Sequence, residues 1–214
     1  MSVLNPIGIL GGTFDPVHYG HLALATAAAE QLKLSEVRLI PIGTPPHRAA
    51  PVASSQARVD MLRLALADKP RLRLDEREIA RSGPSYTVDT LHELRRETGA
   101  ARALVLLLGA DAFAGLATWH RWQELFALAH IAVAQRPGTT LKNLPPVLAR
   151  VFEKRRAQTP QAASGNIVVV EITPQDIAAS NIRARLAAGK DAHDLLPATV
   201  LDYIRTNHLY TGGG

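Results

Sequence analysis

The 214-residue chain has no cysteine. That excludes disulfides, thiolate metal centres and cysteine nucleophiles, and it leaves the compartment open. Aromatic residues make up only 5% of the chain, and no apolar run approaches the ~20 residues needed to cross a bilayer as a helix. Residues 1–6 lack a basic region followed by a long apolar stretch, so no secretory leader is expected there. Together these absences predict a cytoplasmic protein without a membrane partner. The formal charge is +5, yet basic residues are dispersed among acids, as in 75–78 and 92–97, and the densest cluster is Lys154-Arg155-Arg156. No basic stripe with interleaved aromatics appears, so nucleic acid is not the expected partner. A net positive charge suits small anionic substrates instead. Internal repeats, linkers and low-complexity tracts are missing too, which predicts one domain over 1–210 and a frayed tail at 211–214.

What the chain does contain is a regular alternation of short apolar runs and helix-like segments. Strands are expected at 7–10, 37–42, 72–74, 103–108, 131–134 and 167–172. Helices are expected at 18–34, 55–67, 87–97, 111–116, 122–129, 144–156, 180–188 and 197–206. Continuously apolar strands are covered on both faces, and the alternating order predicts a doubly wound α/β fold with a parallel sheet. Ligands of such sheets lie beyond the carboxyl ends of the strands. Gly11, the segment 43–48, the segment 109–111 and the segment 136–138 each follow a strand candidate.

The most informative stretch is GGTFDPVHYGH at 11–21, between the first strand and the first helix. Adjacent glycines let the backbone approach an anion and adopt dihedrals closed to other residues, while a new helix points free N–H groups at it. His18 and His21 fall on one face of that helix start, and Gly20 between them keeps the face open. The dipole there disfavours a protonated ring by about 0.3–1 kcal/mol. A bound polyphosphate gives the pair a reason. The glycine spacing is neither the dinucleotide fingerprint nor the Walker pattern, and a third ligand for a zinc site is missing. Elsewhere, Pro45 and Pro46 stiffen the loop that presents His47 and Arg48. Composition allows helix caps at Ser85 to Thr87, at Asp111, and at Ser180 or Asn181 just before Arg183. Trp119 falls in a loop, where an exposed ring wants a partner.

The 11–21 stretch resembles the HxGH motif of the nucleotidyltransferase superfamily. With PPHR at 45–48, GPSYTVDTL at 83–91, GADAFAGLATWHRW at 109–122, RPG at 136–138 and IAASNIRARL at 177–186, the chain resembles the bacterial nicotinate-nucleotide adenylyltransferases. The resemblance implies a Rossmann-like nucleotidyltransferase fold. It also implies transfer of the adenylyl group of ATP to nicotinate mononucleotide, giving deamido-NAD and pyrophosphate in NAD biosynthesis. By that resemblance His18, His21 and Arg183 are catalytic, and Gly11, Gly12, Thr13, Phe14, Gly109, Asp111, Ser180 and Ile182 join them in binding ATP. Thr13, Asp15, His47, Arg48, Tyr86, Thr87, Trp119, His120 and Arg136 would bind the acceptor. Trp119 would stack on the nicotinate ring, and backbone N–H groups near Thr87 and His120 would hold its carboxylate. Mg²⁺ would arrive on the ATP phosphates, with no dedicated protein site; a homo-oligomer is compatible with the pattern. Two departures stand out: Ala178-Ala179-Ser180 replaces the family's usual Ser-Ser-Thr, and His120 stands where tyrosine is common. The competing readings are transfer to another phosphate acceptor such as phosphopantetheine, cytidylyl transfer, or a nucleotide-binding module without catalysis. The 83–91 and LATWHRW segments favour the pyridine nucleotide.

Overall fold

A computed structural model describes residues 5–45, 50–135, 141, 144–173 and 177–211. Six strands form one sheet: β1 (Ile7–Gly12), β2 (Glu36–Pro41), β3 (Leu72–Leu74), β4 (Leu104–Gly109), β5 (His130–Gln135) and β6 (Ile167–Glu171). Their order is β3-β2-β1-β4-β5-β6, and every pairing is parallel. The chain leaves β1 toward β2 on one side and returns to β4 on the other. The topological switch point of the sheet is therefore the β1/β4 edge.

Helices cover both faces, as continuous apolar strands require. Val105 and Leu107 of β4 join α1 (Tyr19–Gln31), α2 (Ser55–Leu66), α8 (Ala179–Ala187) and α9 (Ala198–Thr206) in one core cluster. Leu104, Leu106 and Leu108 join α4 (Thr87–Thr98), α5 (Ala110–Ala114), α6 (Leu125–Leu128) and α7 (Pro146–Arg155) in the other. Alternate residues of one strand thus feed opposite layers, as the two-residue period of a strand dictates. This is the doubly wound sheet that the pattern predicted.

Each expected strand and helix has a counterpart, with ends moved by a few residues. Two differences are more than fraying. The expected 122–129 helix is a 3₁₀ turn (Trp122–Glu124) followed by the short α6. The short helix α3 (Arg77–Ala80) was not foreseen, because four residues are too few to show a helical period. No helix among the described residues is long and apolar enough to cross a membrane.

Candidate active site

A cavity of about 1000 Å³ opens at the carboxyl ends of β1, β2, β4 and β5, beside the switch point. Gly11, Gly12 and Thr13 line it. Both glycines belong to the extended strand, and the left-handed residue is instead Phe14, at φ 50°. The expectation that the glycines supply unusual dihedrals is corrected accordingly. Their roles differ: a Cβ on Gly12 would stand 3.1 Å from the Phe14 ring, whereas a Cβ on Gly11 would meet nothing within 4 Å. Packing fixes Gly12; only the cavity has a use for the space above Gly11. Phe14 is buried outside the cavity wall, and its ring meets His21 edge-on at 4.8 Å.

His18 is the N-cap of α1, and His21 lies in the first turn. Their rings stack with centroids 3.7 Å apart and planes 27° apart. The His18 backbone N–H donates to His21 Nδ1 at 3.3 Å, which puts the proton of neutral His21 on Nε2, a donor. Burial lowers the His18 pKa to about 4, and burial plus the neighbouring His18 lowers that of His21 to about 3. Both rings are neutral at pH 7. A Cβ on Gly20 would lie 3.1 Å from His18 Nδ1, so Gly20 makes room for the His18 ring and also lines the cavity.

The structure assigns Asp15 a different place from the cavity wall. It is buried, and Oδ1 accepts the Ala53 N–H at 3.1 Å and the Tyr210 hydroxyl at 2.6 Å, while Oδ2 accepts the Val52 N–H at 2.7 Å. Its carbonyl accepts from Arg183 Nη1 at 2.7 Å. Arg183 is thereby drawn to the motif loop, with its side chain 30% exposed, but it does not line the cavity. The N-cap of α8 is Ala178, without a side-chain cap, so the capping expected of Ser180 or Asn181 does not occur. Ser180 is exposed and Ile182 is buried in the core; neither lines the cavity, though the preceding Ile177 does.

At the other end, α4 begins at Thr87 with Tyr86 as an N-cap that makes no side-chain cap bond. Ser85 is not a cap either: its Oγ accepts the Gly43 N–H at 3.3 Å, and its N–H donates to the Thr44 carbonyl at 2.9 Å. These bonds tie the loop after β2 to the loop before α4. A Cβ on Gly43 would stand 2.1 Å from the Glu78 carbonyl oxygen, an impossible approach. Tyr86, Thr87, Trp119 and His120 all line the cavity, and the Tyr86 and His120 rings meet at 4.3 Å. Trp119 is half buried against the β4 and β5 core, where the loop had suggested an exposed ring. Gly109 caps α5 with open space at its Cβ, and Asp111 is exposed in the first turn at the cavity wall. The expected contacts of His47, Arg48 and Arg136 fall outside the described residues.

Sequence reasoning passed over Glu78 and Thr90, both in the cavity wall. The Thr90 hydroxyl donates to Glu78 Oε1 at 2.6 Å, and burial pushes the Glu78 pKa up. Thr90 could have been found, since it lies one turn beyond Thr87 on the same helix face. Glu78 sits in the unforeseen α3, and nothing local marks it.

The chain matches the family described as cytidylyltransferase-like over residues 9–185. It is 51% identical over 212 residues to a protein of Dechloromonas aromatica named "Probable nicotinate-nucleotide adenylyltransferase", covering 96% of this chain and 98% of that one. A protein of the same name from Laribacter hongkongensis is 50% identical, covering 95% of this chain and 94% of that one. Among solved structures, the nicotinic acid mononucleotide adenylyltransferase of Plasmodium falciparum, complexed with NaAD, superposes with a TM-score of 0.73 at 17% identity, covering 96% of this chain and 97% of that one. The last likeness concerns the fold alone.

Proposed function

The chain belongs to the nicotinate-nucleotide adenylyltransferases of the cytidylyltransferase-like family, and from that premise we propose how its cavity transfers the adenylyl group of ATP to nicotinate mononucleotide. A phosphate oxygen of the mononucleotide attacks the α-phosphorus in line, and pyrophosphate leaves. The protein needs no nucleophile of its own. Its task is to align the two phosphates and to stabilise the charge that develops between them.

One observation carries the assignment of roles: two neutral, stacked histidines at the start of α1, beside a glycine whose missing side chain leaves room in the cavity. His21 Nε2–H, fixed as a donor by the bond at Nδ1, is suited to a phosphate oxygen. A neutral donor strengthens its bond as negative charge builds, without losing a proton beforehand. Arg183, held at the motif loop, adds a permanent positive charge for the leaving phosphates. Gly109 and the first turn of α5 frame the nucleoside. The acceptor would lie at the opposite end, its nicotinate ring against Trp119 and its carboxylate at the uncapped first turn of α4.

Among the described residues no three His, Asp or Glu side chains cluster as a cation site. Asp111 is an exposed carboxylate at the cavity wall, and it would face Mg²⁺ carried there by the triphosphate and its waters. When bound, the ion would neutralise charge on the departing pyrophosphate.

Pyrophosphate release with ATP and each candidate acceptor tests the reading. Release with nicotinate mononucleotide, and a lower kcat/KM with nicotinamide mononucleotide, is the expected result. No release at saturating Mg²⁺ and both substrates defeats it, and equal constants for the two acceptors defeat the carboxylate site at α4.

A further inference from the structure

The loop 13–17 that delivers the histidine pair holds a bulky residue, Phe14, at φ 50°. Such a backbone is costly and persists only where its surroundings over-determine it. Here the surroundings come from distant parts of the chain. Arg58 of α2 is buried and donates through Nη1 to the Thr13 carbonyl at 2.9 Å. Tyr210, past the end of α9, donates its hydroxyl to Asp15 Oδ1 at 2.6 Å, and it belongs to the core cluster that α1, α2 and α8 share. Asp15 in turn holds Arg183 by its carbonyl, and its Oδ2 lies 3.9 Å from Arg183 Nη1. Burial and the Asp15 carboxylate push the Tyr210 pKa up, which keeps the hydroxyl a donor. The Asp15 carboxylate thus acts on two guanidiniums, buried Arg58 and partly exposed Arg183.

We propose that Tyr210 and Arg58 are positioning residues for the transfer, acting through the Asp15 loop on Arg183. A residue near the carboxyl end of the chain then sets the phosphate grip, although it lies outside the cavity wall. The inference rests on Arg183 meeting the triphosphate, as read above.

Tyr210→Phe keeps the ring and removes only the hydroxyl. It is expected to lower kcat about tenfold and to raise KM for ATP severalfold, with KM for nicotinate mononucleotide unchanged. In an Arg183→Ala background the same substitution is expected to change kcat and KM for ATP less than twofold, because the residue through which it acts is gone. Equal factors in both backgrounds, or unchanged kinetics in the single variant, would overturn the proposal. A merely structural hydroxyl would shift Tm without splitting the two KM values. If Tyr210→Phe does not fold, Arg58→Lys is measured in the same cycle, with the same outcomes expected. An unsubstituted protein that releases no pyrophosphate sinks the functional reading; an active one that ignores Tyr210→Phe sinks only this inference.

Discussion

The loop that carries the histidine pair and the turn that carries Trp119 are held in opposite ways. At the phosphate end, the bonds that fix the 13–17 loop join residues 37, 38, 45, 168 and 195 positions apart. At the acceptor end, the turn that presents Trp119 and His120 closes on itself through Gly115–Thr118, Leu116–Trp119 and Trp119–Trp122 backbone bonds. Buried Leu116 and half-buried Trp119 anchor that turn on the core, and its ion pairs are exposed: Arg121–Asp89 at 3.6 Å and Arg121–Glu124 at 2.6 Å. Exposed ion pairs contribute about 0–1 kcal/mol. A site that must align phosphates to a fraction of an ångström gains from rigidity where charge moves. Where it needs only to hold an acceptor ring, local turns suffice.

The largest expected effect lies at the rigid end. His21→Ala removes the oriented donor and is expected to lower kcat about 10²–10³-fold, as loss of one preorganised donor does elsewhere. Circular dichroism should show the fold intact. A Tm loss as large as that of a core deletion would make His21 a packing residue and erase the contrast. At the looser end, Trp119→Ala is expected to raise KM for the acceptor about ten- to a hundredfold, with KM for ATP unchanged, since stacking on a base is worth about 1–3 kcal/mol. Equal rises in both KM values would mean that the turn supports the whole site.

The glycines sharpen the comparison further. Gly11→Ala is expected to leave Tm of the free protein within a degree or two and to raise KM for ATP severalfold, because its Cβ meets only cavity. Gly12→Ala presses on Phe14 and is expected to lower both Tm and kcat. If Gly11→Ala binds ATP normally, the nucleotide does not approach that strand end.

The division between near and far bonds also explains what the sequence could convey. The parallel sheet, its helix layers and the paired histidines were legible because they follow from local periods and from spacings within a single turn. The family motifs located Trp119, Thr87 and Arg183 along the chain. The role of Asp15 was not legible: a carboxylate beside a glycine turn reads as a ligand contact until Val52, Ala53 and Tyr210 are seen to occupy it. The second role of Gly20 was hidden for a similar reason, since the ring it accommodates belongs to a neighbour whose rotamer no sequence displays. Glu78, opposite Gly43 across 35 residues, left no trace in any local pattern.

Acid should act mainly on the rigid end. His18 and His21 have folded pKa values of about 4 and about 3, below the usual 6.5 of an unfolded histidine, so between those limits the unfolded chain binds protons that the folded one refuses. Their contribution to stability is present above about pH 6.5 and is lost as pH falls toward 3. Buried His130, whose Nδ1 accepts the Asn166 N–H at 3.1 Å, shifts in the same direction far from the cavity. Tm should therefore fall between pH 7 and 5, less steeply in His21→Gln, with a residual slope from His18 and His130. Bound ATP should flatten the remainder, because its charge favours a protonated imidazole. A slope that His21→Gln leaves unaltered would move the acid sensitivity out of the site.

The smallest expected effect tests how little the acceptor end depends on one side chain. His120 is exposed, and its ring contact is with Tyr86. If the backbone near it holds the nicotinate carboxylate, His120→Tyr keeps an aromatic ring against Tyr86 and changes kcat/KM for the acceptor by less than about threefold, within the range of exposed substitutions. A tenfold loss would place the imidazole itself on the substrate. The acceptor end would then share the dependence on a single oriented donor that sets the phosphate end apart.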